Sequence, residues 1–140
     1  MMSLMSLSKA RKLKILVVDD LPDTAQSLAL LLAEMGYEAK FEIRPETVLE
    51  RARTLKPDAI FLDLGMPDID GFRLAELLRA EFGESIRLVA ITGYGADEDR
   101  KRTRQAGFDA HVLKPIDIPL LESILATVLP DSRHAKDLKA

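Results

Sequence analysis

The chain has 140 residues, of which 47% are apolar and 31% are charged, and its formal net charge is −3. This composition predicts one globular domain with a substantial core and argues against direct binding of nucleic acid, which usually calls for a basic patch. Without cysteine, disulfides, thiol catalysis and cysteine-based zinc sites are excluded. No apolar stretch approaches the roughly 18 residues of a transmembrane helix, so we expect no membrane insertion and a cytoplasmic location.

Both ends of the chain are predicted to lie outside this domain. Residues 1–12 are mildly apolar but lack the charged start and continuous apolar core of a signal peptide, so we interpret them as a flexible leader. Residues 130–140 are polar and are expected to fray. The domain itself is predicted to span residues 13–129, which leaves no room for an output domain after it.

The first apolar run, at residues 15–18, predicts a buried strand. A helical pattern follows, for which Asp20 is expected to act as the cap and Pro22 to occupy the first turn. Gly36 marks the end of this helix. Residues 38–42 then predict a short second strand.

The middle of the chain repeats this alternation. Residues 45–55 predict a second helix, and the apolar run at residues 59–62 predicts a third strand. Gly, Pro and Asp mark residues 64–71 as a loop. Phe72, Ala75, Leu78 and Phe82 then recur at helical spacing and define a third helix.

The last part of the chain completes the pattern. An apolar run at residues 88–91 predicts a fourth strand, Gly107 closes a fourth helix, and residues 111–113 predict a fifth strand. A final helix begins near Ile118 and carries an apolar stripe. Strict alternation predicts an α/β fold with a doubly wound, five-stranded parallel sheet, flavodoxin-like order 2-1-3-4-5 and helices on both faces.

Five polar residues directly follow four of these strands: Asp19, Asp20, Asp63, Thr92 and Lys114. Taken singly, each has an ordinary interpretation as a helix cap, a strand end or a surface charge. Ligands, however, bind at the carboxyl ends of parallel strands, and clustered carboxylates repel one another unless a hard cation such as Mg²⁺ joins them. We therefore predict a Mg²⁺-dependent phosphoryl acceptor. Asp63 is the expected nucleophile and would form an aspartyl-phosphate, with Thr92 and Lys114 contacting phosphoryl oxygens.

Four motifs in the chain resemble the receiver domain of two-component response regulators. In order, they are residues 17–20 (Val-Val-Asp-Asp), 62–71 (Leu-Asp-Leu-Gly-Met-Pro-Asp-Ile-Asp-Gly), 91–93 (Ile-Thr-Gly) and 113–115 (Leu-Lys-Pro). The resemblance implies a phosphoacceptor signalling domain of a phosphorelay and not an enzyme acting on free substrates. Its donor would be a phosphohistidine on a histidine kinase or a histidine phosphotransfer protein.

The resemblance also implies a ligand set for Mg²⁺. Asp20 and Asp63 would bind the ion directly, and Asp19 would act mostly through water. The backbone carbonyl of Gly65 would complete the protein ligands. Lys114 would hold the phosphoryl group.

Other implied roles concern switching and lifetime. Thr92 would swing toward the phosphoryl group, and Pro115 would follow a cis peptide bond. His111 stands where receivers usually carry an aromatic switch residue, so we hypothesise that it follows Thr92; a packed polar residue is the alternative. Gly65 offers no side chain to orient water and Tyr94 could shield the phosphoryl group, which predicts self-dephosphorylation over minutes or longer.

The readout face implied by the resemblance is formed by residues 97–107, 110–113 and 119–129. It would contact a downstream protein target, or the kinase module itself if the chain is the receiver segment of a hybrid sensor histidine kinase. A homodimer through the same face is a further expectation. The basic cluster at residues 100–104 could bind an acidic partner, but a solvated helix face is the preferred interpretation.

Three alternatives remain open from the sequence. A receiver-like binding module would keep the fold without being phosphorylated, although all five site residues are present. A Mg²⁺-dependent phosphatase would use Asp63 as its nucleophile, but phosphatases of the haloacid dehalogenase type carry a second acid where Gly65 stands. A flavin-binding flavodoxin would need a Ser/Thr/Gly-rich phosphate loop after the first strand.

Overall fold

The computed structural model describes residues 12–67, 69–93 and 97–130, with the backbone alone described at 97–99. Nearly all of the predicted leader and tail lies outside these residues. In chain order the elements are β1 (Lys14–Val18), α1 (Pro22–Glu34), β2 (Glu38–Glu42), α2 (Val48–Leu55), β3 (Ala59–Asp63), α3 (Gly71–Phe82), β4 (Arg87–Thr92), α4 (Asp97–Ala106), β5 (Ala110–Leu113) and α5 (Ile118–Val128). Short 3₁₀ turns, Pro45–Thr47 and Gly83–Ser85, precede α2 and β4.

The five strands form one parallel sheet in the order β2-β1-β3-β4-β5. This confirms the predicted flavodoxin-like fold. Successive side chains of the inner strands point to opposite faces of the sheet and form two hydrophobic cores. Val17 and Phe61 belong to the core between the sheet and helices α1 and α5. Leu16 and Ile60 belong to the second core, between the sheet and helices α2, α3 and α4. Because both faces are covered, the inner strands are apolar except at their ends.

The start of α1 differs from the sequence prediction. Leu21 occupies the N-cap position in place of Asp20, and no side chain of the described residues caps the helix there. The carboxylate of Asp19 instead accepts a hydrogen bond from the backbone N–H of Leu21, at 3.0 Å. The prediction that Asp20 caps α1 was wrong, because the turn after β1 extends one residue further before the helix begins.

Arg79 joins several elements at the end of the sheet opposite the predicted site. Its Nε donates to the carbonyl of Gly107 at 2.8 Å, and its Nη2 donates to Asp109 Oδ2 at 2.5 Å. The same oxygen of Asp109 accepts from the backbone N–H of Leu88 at 2.8 Å. This arrangement fixes the connection between α4 and β5 against the start of β4, and so fixes the strand that leads to Lys114.

None of the helices in the described residues combines the length and the apolar character that a membrane-spanning helix requires.

Candidate functional site

The carboxyl end of β1 presents two carboxylates. Asp19 is buried, with 2% of its surface exposed, and Asp20 is half-buried. Besides its contact with Leu21, Asp19 faces the ammonium of Lys114, with Oδ2 lying 3.7 Å from Nζ. The end of β1 therefore holds one carboxylate in a fixed orientation and leaves a second one more accessible.

Asp63 closes β3 and is 4% exposed. Its Oδ1 accepts a hydrogen bond from the backbone N–H of Gly65 at 2.7 Å, and its Oδ2 accepts one from Lys114 Nζ at 2.8 Å. The loop that follows is tied to β4, because the N–H of Leu64 donates to the carbonyl of Ile91 at 2.8 Å. Both carboxylate oxygens of Asp63 are thus positioned by neighbouring groups.

Lys114 reaches this site from the end of β5. Its backbone N–H donates to the carbonyl of Thr92 at 2.9 Å, and the peptide bond to Pro115 is cis, as the sequence resemblance implied. Burial by itself lowers the pKa of Lys114. The hydrogen bond to Asp63 and the charges of Asp63 and Asp19 outweigh burial, so the pKa is raised and the ammonium stays charged.

Asp19, Asp20 and Asp63 form one cluster, in which a ligand oxygen from each lies within 4.8 Å of the others. Burial is the largest effect on Asp19 and raises its pKa; the N–H of Leu21 opposes this, and the charge of Asp63 reinforces it. Among the described residues, Lys114 is the cation that pairs with this cluster. Three carboxylates against one ammonium favour a further cation, and the all-oxygen donor set fits Mg²⁺.

The remaining predicted residues lie at varying distances from this cluster. Thr92 is buried at the end of β4, opposite Leu113 in the strand register. His111 is half-buried on β5, opposite Ala90, and three residues before Lys114 along the strand, which is roughly 10 Å. Tyr94 lies outside the described residues. The structure thus brings Asp19, Asp20, Asp63 and Lys114 together, with Thr92 at the same edge and His111 further down β5.

A groove beside the site was not anticipated from the sequence. We call it the α1 groove; it has a volume of about 730 Å³ and runs between α1 and the segment that follows β5. Asp19 and Lys114 lie at its polar end, and its apolar walls include Leu28, Leu31, Ile91 and Ile116. Leu28 and Leu31 belong to the apolar stripe of α1, and the sequence pattern alone predicts that such a stripe is buried in the core. The one sequence feature that could have indicated the groove is Ile116, an apolar residue directly after Lys114 and Pro115.

The family model for the response regulator receiver domain matches residues 15–126. The chain belongs to this family. Receiver domains are phosphoacceptor signalling domains of two-component systems and are not classical enzymes. They bind Mg²⁺ at an acidic pocket, and they interact with histidine kinases and downstream effectors. This receiver domain has an acidic cluster at the ends of β1 and β3.

Two relatives of this receiver domain are nearly the same length as this chain. The chain is 31% identical over 126 residues to an uncharacterized 14.6 kDa protein of Leptolyngbya boryana, covering 86% of this chain and 96% of that protein. It is 26% identical to the polar-differentiation response regulator DivK of Brucella anthropi, over 84% and 97% of the two chains. The sensor histidine kinase RcsC of Salmonella typhimurium is 31% identical over 80% of this chain, but the chain spans only 12% of that kinase.

Solved structures agree with the fold of this receiver domain. Chemotaxis protein CheY4 of Vibrio cholerae superposes with a TM-score of 0.79 at 24% identity, over 85% of this chain and all of CheY4. A CheY-like receiver domain from Methylobacillus flagellatus gives a TM-score of 0.73 at 31% identity, over 84% and 99% of the two chains. The first likeness shows the fold, and the second joins the fold to the sequence similarity.

Proposed function

We propose that Asp63 is the phosphoacceptor of this receiver domain and that its donor is a phosphohistidine on a histidine kinase or a phosphotransfer protein. The observation that carries the proposal is the placement of the Asp63 carboxylate, which is held between the N–H of Gly65 and the ammonium of Lys114. A fixed carboxylate is a competent nucleophile for phosphoryl transfer. Attack by Asp63 forms its bond to phosphorus as the phosphorus–nitrogen bond of the donor breaks, and Lys114 then faces the transferred group.

The same proposal assigns the Mg²⁺ ligands. Asp20 and Asp63 would hold the ion directly, Asp19 through water, and Gly65 through its backbone carbonyl. The proximity of the three carboxylates supports this assignment. When bound, Mg²⁺ neutralises phosphoryl oxygens and lowers the cost of bringing an anionic donor to an acidic pocket.

The direct experiment is intact-mass analysis after incubation with acetyl phosphate and Mg²⁺. We expect a gain of one phosphoryl group, about 80 Da, that requires Mg²⁺. The same sample should leave a generic phosphate ester unhydrolysed, which separates this function from a phosphatase. Absence of any mass gain from acetyl phosphate and from a phosphorylated histidine kinase would favour a receiver-like binding module instead.

The phosphoryl group on Asp63 is proposed to persist for minutes or longer. Gly65 has no side chain that could orient an attacking water, and Tyr94, two residues after Thr92 in the sequence, would shield the group. Gly65→Asn should therefore speed the loss of the phosphoryl mass at least about tenfold, because its amide can position water for attack. Lys56→Asn, which introduces the same amide at the exposed left-handed residue that ends α2, should leave the decay rate as it is. An unchanged rate in both Gly65→Asn and Tyr94→Ala would contradict this account.

We further propose that Thr92 and His111 connect the phosphoryl group to a readout face formed by α4, β5 and α5. His111 supports this role by its position, because it lies on β5 beside β4, the strand that ends at Thr92, and three residues before Lys114. His111→Ala should shrink the phosphorylation-induced change in amide hydrogen exchange of α4 and α5, while the gain of phosphoryl mass remains. An identical exchange response in wild type and His111→Ala would remove His111 from the switch.

The partners follow from the same proposal. The readout face would bind a downstream protein or the kinase module of the same polypeptide, and a homodimer could use it as well. We also propose that this domain, at residues 13–129, works in the cytoplasm together with its phosphohistidine donor.

A further inference from the structure

The α1 groove opens directly onto the proposed phosphorylation site. Lys114, whose ammonium lies 2.8 Å from Asp63 and 3.7 Å from Asp19, forms its polar end. A phosphoryl group on its way to Asp63 therefore enters beside this groove. A donor that approached Asp63 from this side would place the group attached to its phosphoryl next to the groove walls.

Away from that end, most of the groove wall is apolar, and Asp23, Thr24 and Ser27 of α1 also line it. Leu28 and Leu31 come from α1, Ile91 from β4, and Pro115 and Ile116 from the segment after β5. Leu31 and Ile116 are only half-buried, which leaves apolar surface uncovered. The volume of about 730 Å³ lies in the range of small-molecule sites, roughly 300–1,000 Å³. Acetyl phosphate, with its single methyl group, would occupy only a small part of it.

We propose that the α1 groove makes this receiver domain accept phosphoryl groups directly from acyl phosphates whose acyl chain is longer than acetyl. This inference rests on the proposed role of Asp63. An anionic head with an apolar tail matches a groove that has an ammonium at one end and aliphatic walls beyond it. The head would lie beside Asp63 and Lys114, and the tail would lie along Leu31 and Ile116.

The chemical step balances without a further reactant. A carboxylate oxygen of Asp63 forms a bond to phosphorus, and the bond between phosphorus and the acyl oxygen breaks. The electron pair of that bond leaves with the acyl carboxylate, so one mixed anhydride replaces another and no proton has to move. The tail takes no part in bond making, and its contribution is to hold the donor in place.

The first test compares acetyl phosphate with hexanoyl phosphate in the presence of Mg²⁺. Their leaving carboxylates have nearly the same basicity, so a difference in rate reports contact with the groove. Each buried methylene group contributes a factor of about four, and partial burial of the hexanoyl tail in an open groove predicts phosphorylation about tenfold faster at low donor concentration. Equal rates for the two donors would overturn the proposal, and the groove would then be a contact surface for protein donors only.

Variants of α1 show whether the groove is responsible. Leu31→Gln should bring the ratio of the hexanoyl to the acetyl rate close to one. Ser27→Glu, at an exposed position of the groove, should do the same without touching the core. The matched control is Leu30→Gln, because Leu30 is 57% exposed on the outer side of the same helix, and it should keep the wild-type ratio. A ratio of the hexanoyl to the acetyl rate that stays at the wild-type value in both groove variants would contradict the proposal.

Binding of unreactive analogues gives an independent readout. Hexylphosphonate should bind about tenfold more tightly than methylphosphonate in calorimetry, and Leu31→Gln should remove the difference. If acetyl phosphate labels Asp63 and hexanoyl phosphate is no better, only this inference fails. If neither acyl phosphate labels Asp63, direct transfer from acyl phosphates is overturned, and a phosphorylated histidine kinase then decides whether the proposed function survives.

Discussion

Asp63→Asn is expected to gain no phosphoryl mass from acetyl phosphate under conditions in which the wild-type chain is labelled. The amide has nearly the shape of the carboxylate and can still accept the N–H of Gly65, which donates to Oδ1 at 2.7 Å. It lacks the negative oxygen that attacks phosphorus, and its NH₂ group cannot accept from Lys114. The loss should therefore be complete while the fold is retained.

Asp70→Asn is the matched control for this substitution. Asp70 caps α3 by accepting from the N–H groups of Phe72 and Arg73, and asparagine caps helices about as well as aspartate. This variant should be labelled like the wild type, and circular dichroism should show the same fold in both variants. Labelling of Asp63→Asn at the wild-type level would show that another residue accepts the phosphoryl group.

Lys114→Met is expected to have two effects of opposite sign. Phosphorylation by acetyl phosphate should slow about a hundredfold, which is the usual consequence of removing a positioned donor from a developing anionic group. Affinity for Mg²⁺ should rise about tenfold, because the ammonium now lies 2.8 Å from Asp63 and repels a cation held by the same carboxylates. The two effects are measured by intact mass over time and by calorimetric titration with Mg²⁺.

Lys40→Met is the control for Lys114→Met, since Lys40 is exposed on the edge strand β2. It should change neither the labelling rate nor the affinity for Mg²⁺. Slower labelling together with weaker Mg²⁺ binding in Lys114→Met would mean that the substitution distorts the carboxylate cluster. In that case Lys114 would support the site mainly by holding its shape.

The sheet and the residues at its edge could be predicted because the same physical constraint acts on both. Strands β1, β3 and β4 are covered on both faces, so each contains an unbroken apolar run, and the first polar residue after that run marks the end of the strand. Parallel strands place those ends at one edge. Asp19, Asp63 and Thr92, which lie at the ends of these three strands, could therefore be grouped from the sequence.

The hydrogen-bond partners of the individual carboxylates could not be predicted from the sequence. Asp19 and Asp20 are adjacent and chemically identical, and only the course of the backbone decides that Asp19 accepts the N–H of Leu21. Arg79 and Asp109 are separated by 30 residues and belong to no recognisable motif. Their contact depends on how α3 and β5 pack, which periodicity does not reveal.

The α1 groove illustrates a different limit. Leu28 and Leu31 repeat at helical spacing, and this pattern is the same whether a residue is wholly buried or lines an open groove. Leu28 is 9% exposed, whereas Leu31 is half-buried. The distinction depends on how closely the segment around Ile116 approaches α1, and that distance is a property of the folded chain.

The central claim is that Asp63 carries the phosphoryl group, and chemical mapping of the modified residue tests it most directly. Sodium borohydride reduces an aspartyl-phosphate to homoserine, whereas an unmodified carboxylate is not reduced. After treatment with acetyl phosphate, Mg²⁺ and borohydride, peptide mass spectrometry should find homoserine at position 63 and intact aspartates at Asp19 and Asp20. Homoserine at Asp19 or Asp20, with position 63 unchanged, would contradict the account.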